Sequence, residues 1–330
     1  FFQAEDGIRE LVRSRGLGDV YKRQNMMGRI AAIDASNTDY RKVLIASASG
    51  GVFKSNNGGI TWESIFDNYG AGSIGSVKFD QNNLNTIWVG TGESANRNSS
   101  AWGDGIYKSV DGGKSFKNMG LKSTHQIAEI EIHPNNPDIG YAAALGQPFQ
   151  PNEERGLYQS LDGGKTWKNI LFISNKIGIV DIEISPDNPN IIYAASWRGE
   201  RKPWTIISGS EEGGIYKSLD AGKTWKKLKK GLPKGLVGKI DLATTAADPN
   251  RLYALIEAEN GKGGVYTSYD RGKNFSAMSY RKELVNRPFY YCNLEADPKN
   301  ADIIFSNANR FMMSNDAGKT WKIMRTPHGD

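Results

Sequence analysis

The chain has 330 residues, of which 38 are glycine, 14 tyrosine, 12 phenylalanine and 8 tryptophan. This length exceeds the ~250–300 residues at which one hydrophobic core stops growing, so several domains or a repeated unit are expected. The net charge of +6 is mild, no apolar run predicts a membrane span, and a single cysteine, Cys292, excludes an intramolecular disulfide framework. The glycine and aromatic content favours many short strands joined by tight turns.

Residues 1–24 share no pattern with the remainder of the chain. They lack the apolar core of a signal peptide and the composition of a transit peptide. They resemble a conceptual translation of sequencing-adapter DNA, and the alternative is a genuine amphipathic leader helix. We therefore expect a non-native leader over 1–24 and a folded region over 25–330.

The phrase Ser-x-Asp-x-Gly-x-Thr-Trp recurs six times, with its serines 46 to 58 residues apart. Its third residue accepts backbone N–H groups in a turn, and its glycine adopts a positive φ without steric cost. The terminal aromatic residue offers a large apolar area for packing between sheets. We therefore interpret the third position as structural rather than catalytic. It is occupied by Asn57, Asp111, Asp162, Asp220, Asp270 and Asp316.

A second phrase precedes most of these turns, as in Ile182-Glu-Ile-Ser-Pro186-Asp-Asn-Pro189, where alternating apolar residues lead into a proline-asparagine turn. Each period thus predicts four antiparallel strands, and such units repeated radially form an all-β fold, a β-propeller. The expected blades lie near 28–66, 73–119, 126–171, 178–228, 238–278 and 292–324.

The repeated phrase resembles the Asp-box, or bacterial neuraminidase repeat, and residues 25–330 resemble the propellers of sortilin-type vacuolar sorting receptors and their bacterial relatives. Further stretches that carry the resemblance are Asn25–Ile30, Val89–Glu93, Trp102–Tyr107, Asn152–Tyr158 and Arg287–Tyr291. The resemblance implies a ligand-binding module. Because relatives usually continue past the last residues seen here, it also implies that the six blades are part of a larger propeller.

The loops between second and third strands vary in length while the turns do not, and loops on a rigid scaffold commonly carry function. Loops 91–104, 145–155 and 196–212 come from consecutive blades, so we expect their tips to converge. The candidate ligand-binding residues are Glu93, Arg97, Trp102, His125, Arg155, Trp197, Arg198, Arg201 and Trp204. Arginines suit a peptide carboxylate or an acidic sugar, although pairing with neighbouring glutamates is an equal alternative.

Two carboxylate pairs are weak catalytic candidates for a glycosidase, namely Glu129 with Glu131 and Asp181 with Glu183. Each pair is spaced i,i+2 and so lies on one face of a first strand, with Glu295 in the same register. The alternative is that they are water-exposed or lysine-paired near the axial channel. A sialidase needs a cluster of arginines, and Arg29-Ile30 is the only stretch similar to the sialidase Arg-Ile-Pro segment, without its proline.

The three histidines show no ligand spacing, so no metal or cofactor is expected. The lysines between 226 and 239 are interpreted as a solvated rim that guards strand edges, not as a nucleic-acid surface. We predict a secreted, periplasmic or cell-surface module that binds a peptide or protein segment. The alternatives are a glycoside hydrolase or glycan-binding propeller, with tryptophans as sugar platforms, and a purely structural part of a larger assembly.

Overall fold

The computed structural model describes residues 29–97 and 100–326, and the expected leader over 1–24 lies outside the described residues. The described part consists of six four-stranded antiparallel sheets arranged as the blades of a propeller. The prediction of an all-β propeller with six blades is confirmed. The described residues contain no helix long and apolar enough to cross a membrane.

The blades follow one another along the chain. The first blade contains β1 (Ile30–Ala35), β2 (Val43–Ser47), β3 (Gly51–Ser55) and β4 (Glu63–Ser64). The second contains β5 (Ile74–Asp80), β6 (Asn83–Thr91), β7 (Ile106–Ser109) and β8 (Lys117–Asn118). The third contains β9 (Ile127–Ile132), β10 (Gly140–Ala144), β11 (Gly156–Ser160) and β12 (Lys168–Leu171). The fourth blade contains β13 (Gly178–Ile184), β14 (Ile192–Trp197), β17 (Gly214–Ser218) and β18 (Lys226–Lys227). The fifth contains β19 (Val237–Thr244), β20 (Leu252–Ala258), β21 (Gly264–Ser268) and β22 (Ser276–Ser279). The sixth contains β23 (Asn293–Ala296), β24 (Ile304–Asn307), β25 (Phe311–Ser314) and β26 (Lys322–Ile323).

The fourth blade carries an additional hairpin, formed by β15 (Gly199–Lys202) and β16 (Thr205–Ser208). Two short 3₁₀ helices, Lys122–Thr124 and Lys282–Val285, lie in the connections that lead into the third and sixth blades. The first strands of successive blades lie side by side around the axis, in the order β1, β5, β9, β13, β19 and β23. We call these the inner strands.

The repeated turns connect the third and fourth strands of each blade, and their hydrogen bonds recur. In the third blade the Ser160 hydroxyl donates to Asp162 at 2.8 Å and accepts the backbone N–H of Gly164 at 2.8 Å. Asp162 accepts both the backbone N–H and the hydroxyl of Thr166, at 2.9 and 2.6 Å. These bonds lower the pKa of Asp162 to about 2. A side chain at Gly164 (φ 93°) would place its Cβ 2.5 Å from the Trp88 ring, so glycine is required there.

Five clusters of buried apolar side chains fill the spaces between successive blades, one at each junction from the first blade to the sixth. At the junction of blades two and three, the Trp88 and Trp167 rings meet edge to face with centroids 6.2 Å apart. Within the described residues no such cluster joins the sixth blade to the first. There the side chain of Ile33 on β1 is 68% exposed, and a cleft separates the two blades.

The repeated turns all lie on one face of the propeller, because each follows the same strand in its blade. The loops between second and third strands, and the connections between blades, therefore emerge at the opposite face. We call this the loop face.

Candidate functional site

Three loops and one connection meet on the loop face. The loop of the second blade donates the Asn96 backbone N–H to the Phe289 carbonyl at 2.9 Å, reaching the connection into the sixth blade. The hairpin of the fourth blade joins the same group, because the Arg201 guanidinium hydrogen-bonds the Asn96 carbonyl. The Arg201 backbone N–H also donates to the Pro148 carbonyl in the third blade's loop, at 2.7 Å. The three candidate loops therefore converge.

Two of the sequence-predicted ligand contacts are corrected, because both side chains are fully buried. Arg155 donates to the carbonyls of Leu145 and Gln147, each at 2.7 Å, and burial lowers its pKa to about 10. Trp197 donates its indole N–H to the Ser208 hydroxyl at 2.9 Å, beneath the hairpin of the fourth blade. These residues fix the loops in place and present no surface to a ligand.

The mouth of the axial channel carries an arginine-tyrosine group. Nη2 of Arg29 donates to both carboxylate oxygens of the buried Glu93 at 2.6 Å. Burial raises the pKa of Glu93, and the bonds from Arg29 oppose that rise. The guanidinium carbons of Arg29 and Arg97 lie 5.7 and 4.9 Å from the centre of the Tyr290 ring. Two arginines thus share one aromatic side chain, which is the geometry of a cation–π contact.

Beside this group a cavity of about 460 Å³ opens between the first and sixth blades. Its wall includes Arg29, Glu93, Tyr290 and Asn309. We call it the mouth cavity. It continues into a second cavity of about 440 Å³ in the axial channel, and Asn293 lines both. The mouth cavity therefore leads from the loop face into the channel.

Two candidate tryptophans are exposed on the loop face. The Trp102 side chain is 51% exposed, and its ring lies 4.8 Å from His125 and 6.2 Å from Phe149, centre to centre. Trp204, between the two strands of the fourth blade's hairpin, is 81% exposed. Arg198 on the same blade contacts Glu200 at 3.4 Å, so this arginine pairs with a glutamate of its own loop.

The channel wall is built from acidic side chains of the inner strands. At each junction from the first blade to the sixth, a side-chain oxygen of one inner strand accepts a backbone N–H of the next. The pairs, donor first, are Phe79 with Asp34 (2.7 Å), Ile130 with Ser76 (3.1 Å), Ile182 with Glu129 (2.7 Å), Leu242 with Asp181, and Leu294 with Asp241 (2.7 Å). We call this series the inter-blade ladder.

The four catalytic candidates all lie in this wall. Glu129 and Asp181 belong to the ladder, Glu131 forms an ion pair with Lys78, and Glu183 accepts the Thr244 hydroxyl at 2.6 Å. Every one of these carboxyl groups is thus engaged by a neighbouring blade. Glu131 is paired with a lysine, as one alternative held, whereas Glu129, Asp181 and Glu183 line the channel cavity and are bonded to backbone or hydroxyl donors.

Burial and mutual repulsion raise the pKa values of these acids. Burial raises the pKa of Glu129 to about 7, although hydrogen bonding to Asp181 and the charge of Lys78 oppose the rise. Burial and the charge of Glu129 raise the pKa of Asp181 well above 3.8. Burial likewise raises the pKa values of Asp241 and Glu295 to about 7. Glu129, Asp241 and Glu295 therefore titrate near neutral pH.

Sequence reasoning missed part of both sites. Arg29 and Tyr290 fall in stretches that carry the family resemblance, but neither was assigned a ligand role. Asp34 and Asp241 were missed because each is a single acid on its strand rather than one of a pair. Over 29–97 and 100–326, no group of three or more His, Cys, Asp or Glu side chains is arranged to hold a metal ion.

Residues 104–232 match the model of the family described as "Sortilin, neurotensin receptor 3". The propeller is sortilin-like. Over 105 residues it is 29% identical to the vacuolar protein sorting/targeting protein 10 of Colletotrichum graminicola. The matched segment covers 32% of this chain and 6% of that protein. This agrees with the resemblance carried by the sequence motifs.

The sortilin-like propeller is also similar to glycoside hydrolases. It is 23% identical over 304 residues to a probable oligoxyloglucan-reducing end-specific xyloglucanase of Neosartorya fischeri, covering 77% of this chain and 34% of that protein. The chain thus spans about a third of the length of this curated relative.

Among solved structures, the GH74 xyloglucanase of Xanthomonas campestris matches with a TM-score of 0.64 and 14% identity, over 90% of this chain and 45% of that chain. A structure described as YCF48 bound to D1 peptide matches with a TM-score of 0.57 and 15% identity, over 90% and 84%. At these identities the two structures establish the propeller fold alone.

Proposed function

We propose that the sortilin-like propeller binds a peptide or protein segment that carries a carboxylate, at the arginine-tyrosine group beside the mouth cavity on the loop face. The observation that carries this proposal is the state of Arg97. Its guanidinium is held against the Tyr290 ring, and among the described residues no carboxylate forms an ion pair with it. The charge of Arg97 acts on the nearby Glu93, but that carboxylate already accepts two hydrogen bonds from Arg29, so the half-buried Arg97 guanidinium keeps donors for an anion.

The neighbouring Arg29 differs, because Glu93 already neutralises it. A ligand carboxylate would therefore be directed to Arg97, which presents planar N–H donors suited to two parallel hydrogen bonds. Tyr290 restricts the motion of the guanidinium, so less conformational entropy is lost when the ligand binds.

The loop face also carries an aromatic group around Trp102, which offers an apolar surface for the rest of the segment. Trp102 is half exposed and packs on His125 and Phe149, so its ring is held in place before any ligand arrives. Aromatic and arginine side chains dominate binding hot spots when they are well packed. The structure described as bound to D1 peptide adds a related fold that holds a peptide, and the present chain covers 84% of it.

The experiment uses a library of random hexapeptides in two forms, with a free C-terminal carboxylate and with an amidated C-terminus. We expect carboxylate peptides to bind the wild type, and Arg97→Gln to weaken that binding by about tenfold or more. The control is Arg41→Gln, which changes an arginine already paired with Asp39 on the opposite face. Equal binding by the wild type and Arg97→Gln would contradict the proposal.

A second candidate is the binding or hydrolysis of a xyloglucan-type glycan. It is favoured by the curated xyloglucanase relative and by the half-exposed Trp102, which could stack on a sugar ring. Hydrolysis needs two carboxyl groups placed about 5–9.5 Å apart on either side of the scissile bond. The test measures the reducing ends that the wild type releases from xyloglucan oligosaccharides. It also compares the binding of these oligosaccharides to the wild type and to the Trp102→Ala variant. Release that is abolished by Asp181→Asn would support this candidate over the peptide-binding proposal.

A further inference from the structure

A third cavity, of about 320 Å³, lies between the fourth and fifth blades on the loop face. It shares no lining residue with the mouth cavity or the channel cavity. Its floor is formed by apolar side chains, of which Ile215, Ile240 and Ile256 are fully buried. The connection over residues 229–236 forms its outer wall, with Leu232 half-buried there. We call it the lysine-rimmed cavity.

The rim of this cavity is basic. Lys227, Lys229 and Lys234 line it, with Glu211 as the acidic side chain among the lining residues, so the formal rim charge is positive. Lys229 and Lys234 are exposed and form no ion pair within the described residues. The apolar floor and the cationic rim together suit a ligand that has an apolar body and an anionic end.

Lys227 is the best-fixed cation of the rim. Its Nζ donates to the carbonyl oxygens of Glu211 and Glu212, at 2.9 and 3.0 Å. An ammonium group has three donors, so one remains for a ligand. Burial and the nearby charge of Lys229 lower the pKa of Lys227, the charge of Glu212 opposes this, and an anion at the rim would offset the repulsion between the two lysines.

We infer that the lysine-rimmed cavity binds a single-chain anionic amphiphile of the fatty-acid type, with its carboxylate at the lysines and its alkyl chain against the isoleucine floor. The volume sets the size of the ligand. An engineered apolar cavity of about 150 Å³ accommodates benzene, so a cavity of about 320 Å³ accommodates roughly twelve non-hydrogen atoms. A ten-carbon carboxylate has this size. Burying its chain removes apolar area from water, which drives binding.

The test is calorimetric titration of the full chain with sodium decanoate below its micelle concentration, alongside decanol and decylammonium. We expect decanoate to bind, decanol to bind about tenfold more weakly, and decylammonium not to bind. The double variant Lys229→Ala with Lys234→Ala should weaken decanoate binding by about tenfold. The matched control is Lys226→Ala, an exposed lysine of the same strand as Lys227 that does not line the cavity.

Two further variants test the position of the chain independently of charge. Ile256→Phe and Leu232→Trp each add volume to the cavity wall, so each should abolish decanoate binding while the melting temperature shows that the variant is folded. Decanoate binding that is unchanged in the folded filling variant, or equal to that of decanol, would overturn the inference. Tighter binding of a hexapeptide ending in leucine, lost in the same variants, would also overturn it and would assign the cavity to a peptide.

Discussion

The inter-blade ladder makes a specific prediction for Glu129→Gln. In the wild type, the Glu129 carboxyl accepts the Ile182 N–H at 2.7 Å and hydrogen-bonds Asp181, in a buried position where its pKa is about 7. A glutamine can keep both contacts, because its amide oxygen accepts the N–H and its amide nitrogen donates to Asp181. The variant removes the charge that Glu129 carries once it ionises, and it reverses the hydrogen bond with Asp181, which is the donor in the wild type.

The direction of the change in the free energy of unfolding follows from the linkage between protonation and folding. The folded pKa of Glu129 lies above its ordinary value of 4.5, so the folded state holds a proton that the unfolded state has released. The stabilising effect of that proton is complete below about pH 4.5 and is lost as pH rises through about 7. The full difference of pKa corresponds to at most about 3 kcal/mol, and the charge of Lys78 is already included in it.

We therefore expect Glu129→Gln to leave the free energy of unfolding nearly unchanged at pH 5 and to raise it by roughly 1–3 kcal/mol at pH 8. Urea titrations at pH 5, 6, 7 and 8, followed by tryptophan fluorescence, measure this difference when the transition slopes agree. The control is Glu211→Gln, an exposed glutamate on another loop, whose pH profile should parallel the wild type. A destabilised Glu129→Gln at pH 8, or a difference that does not change with pH, would refute the reasoning.

Three other predictions concern the repeated turns and the leader. Trp167→Ala should cost about 3 kcal/mol, near the lower end for tryptophan truncations, because the ring is half-buried and its N–H donates to the Met119 carbonyl at 2.9 Å; urea titration measures it. Asp162→Asn should cost less than about 1 kcal/mol in the same titration, since Asn57 accepts the Thr61 N–H at 2.9 Å and donates to its hydroxyl at 2.8 Å; a cost equal to that of Trp167→Ala would contradict this. Deleting residues 1–24 should leave the melting temperature unchanged, and a large fall in calorimetry would show that the leader belongs to the protein.

The repeated turns show why the fold was predictable. Ser160, Asp162 and Gly164 lie within five residues, and their hydrogen bonds close inside the turn. Because the repeated motif forms its hydrogen bonds among its own residues, it can be recognised in the sequence. The number of its copies gives the number of blades. The convergence of the loops also followed, because consecutive blades must place consecutive loops side by side.

The candidate site was only partly predictable because its contacts are long-range. Arg29 and Glu93 are 64 positions apart, and no pattern in either segment specifies the other. Trp197 was predicted as a ligand contact because it falls in the predicted loop 196–212, but it ends β14, and the additional hairpin folds over it and supplies the Ser208 hydroxyl. The short strands β15 and β16 carry no turn phrase of the repeated kind, so the sequence did not predict this cover.

The cleft between the first and sixth blades affects how the molecule loses structure. Within residues 29–97 and 100–326, blades two to five each have a packed junction on both sides, whereas blades one and six have one. In a linear array of neighbours, the terminal units open first because they are held by fewer interfaces. Backbone amides of β1 and β24 should therefore exchange with solvent through partial openings, while those of β10 and β14 require disruption of the central blades. The ring of blades would then lose structure from the first and sixth blades inward, as a linear array of units does.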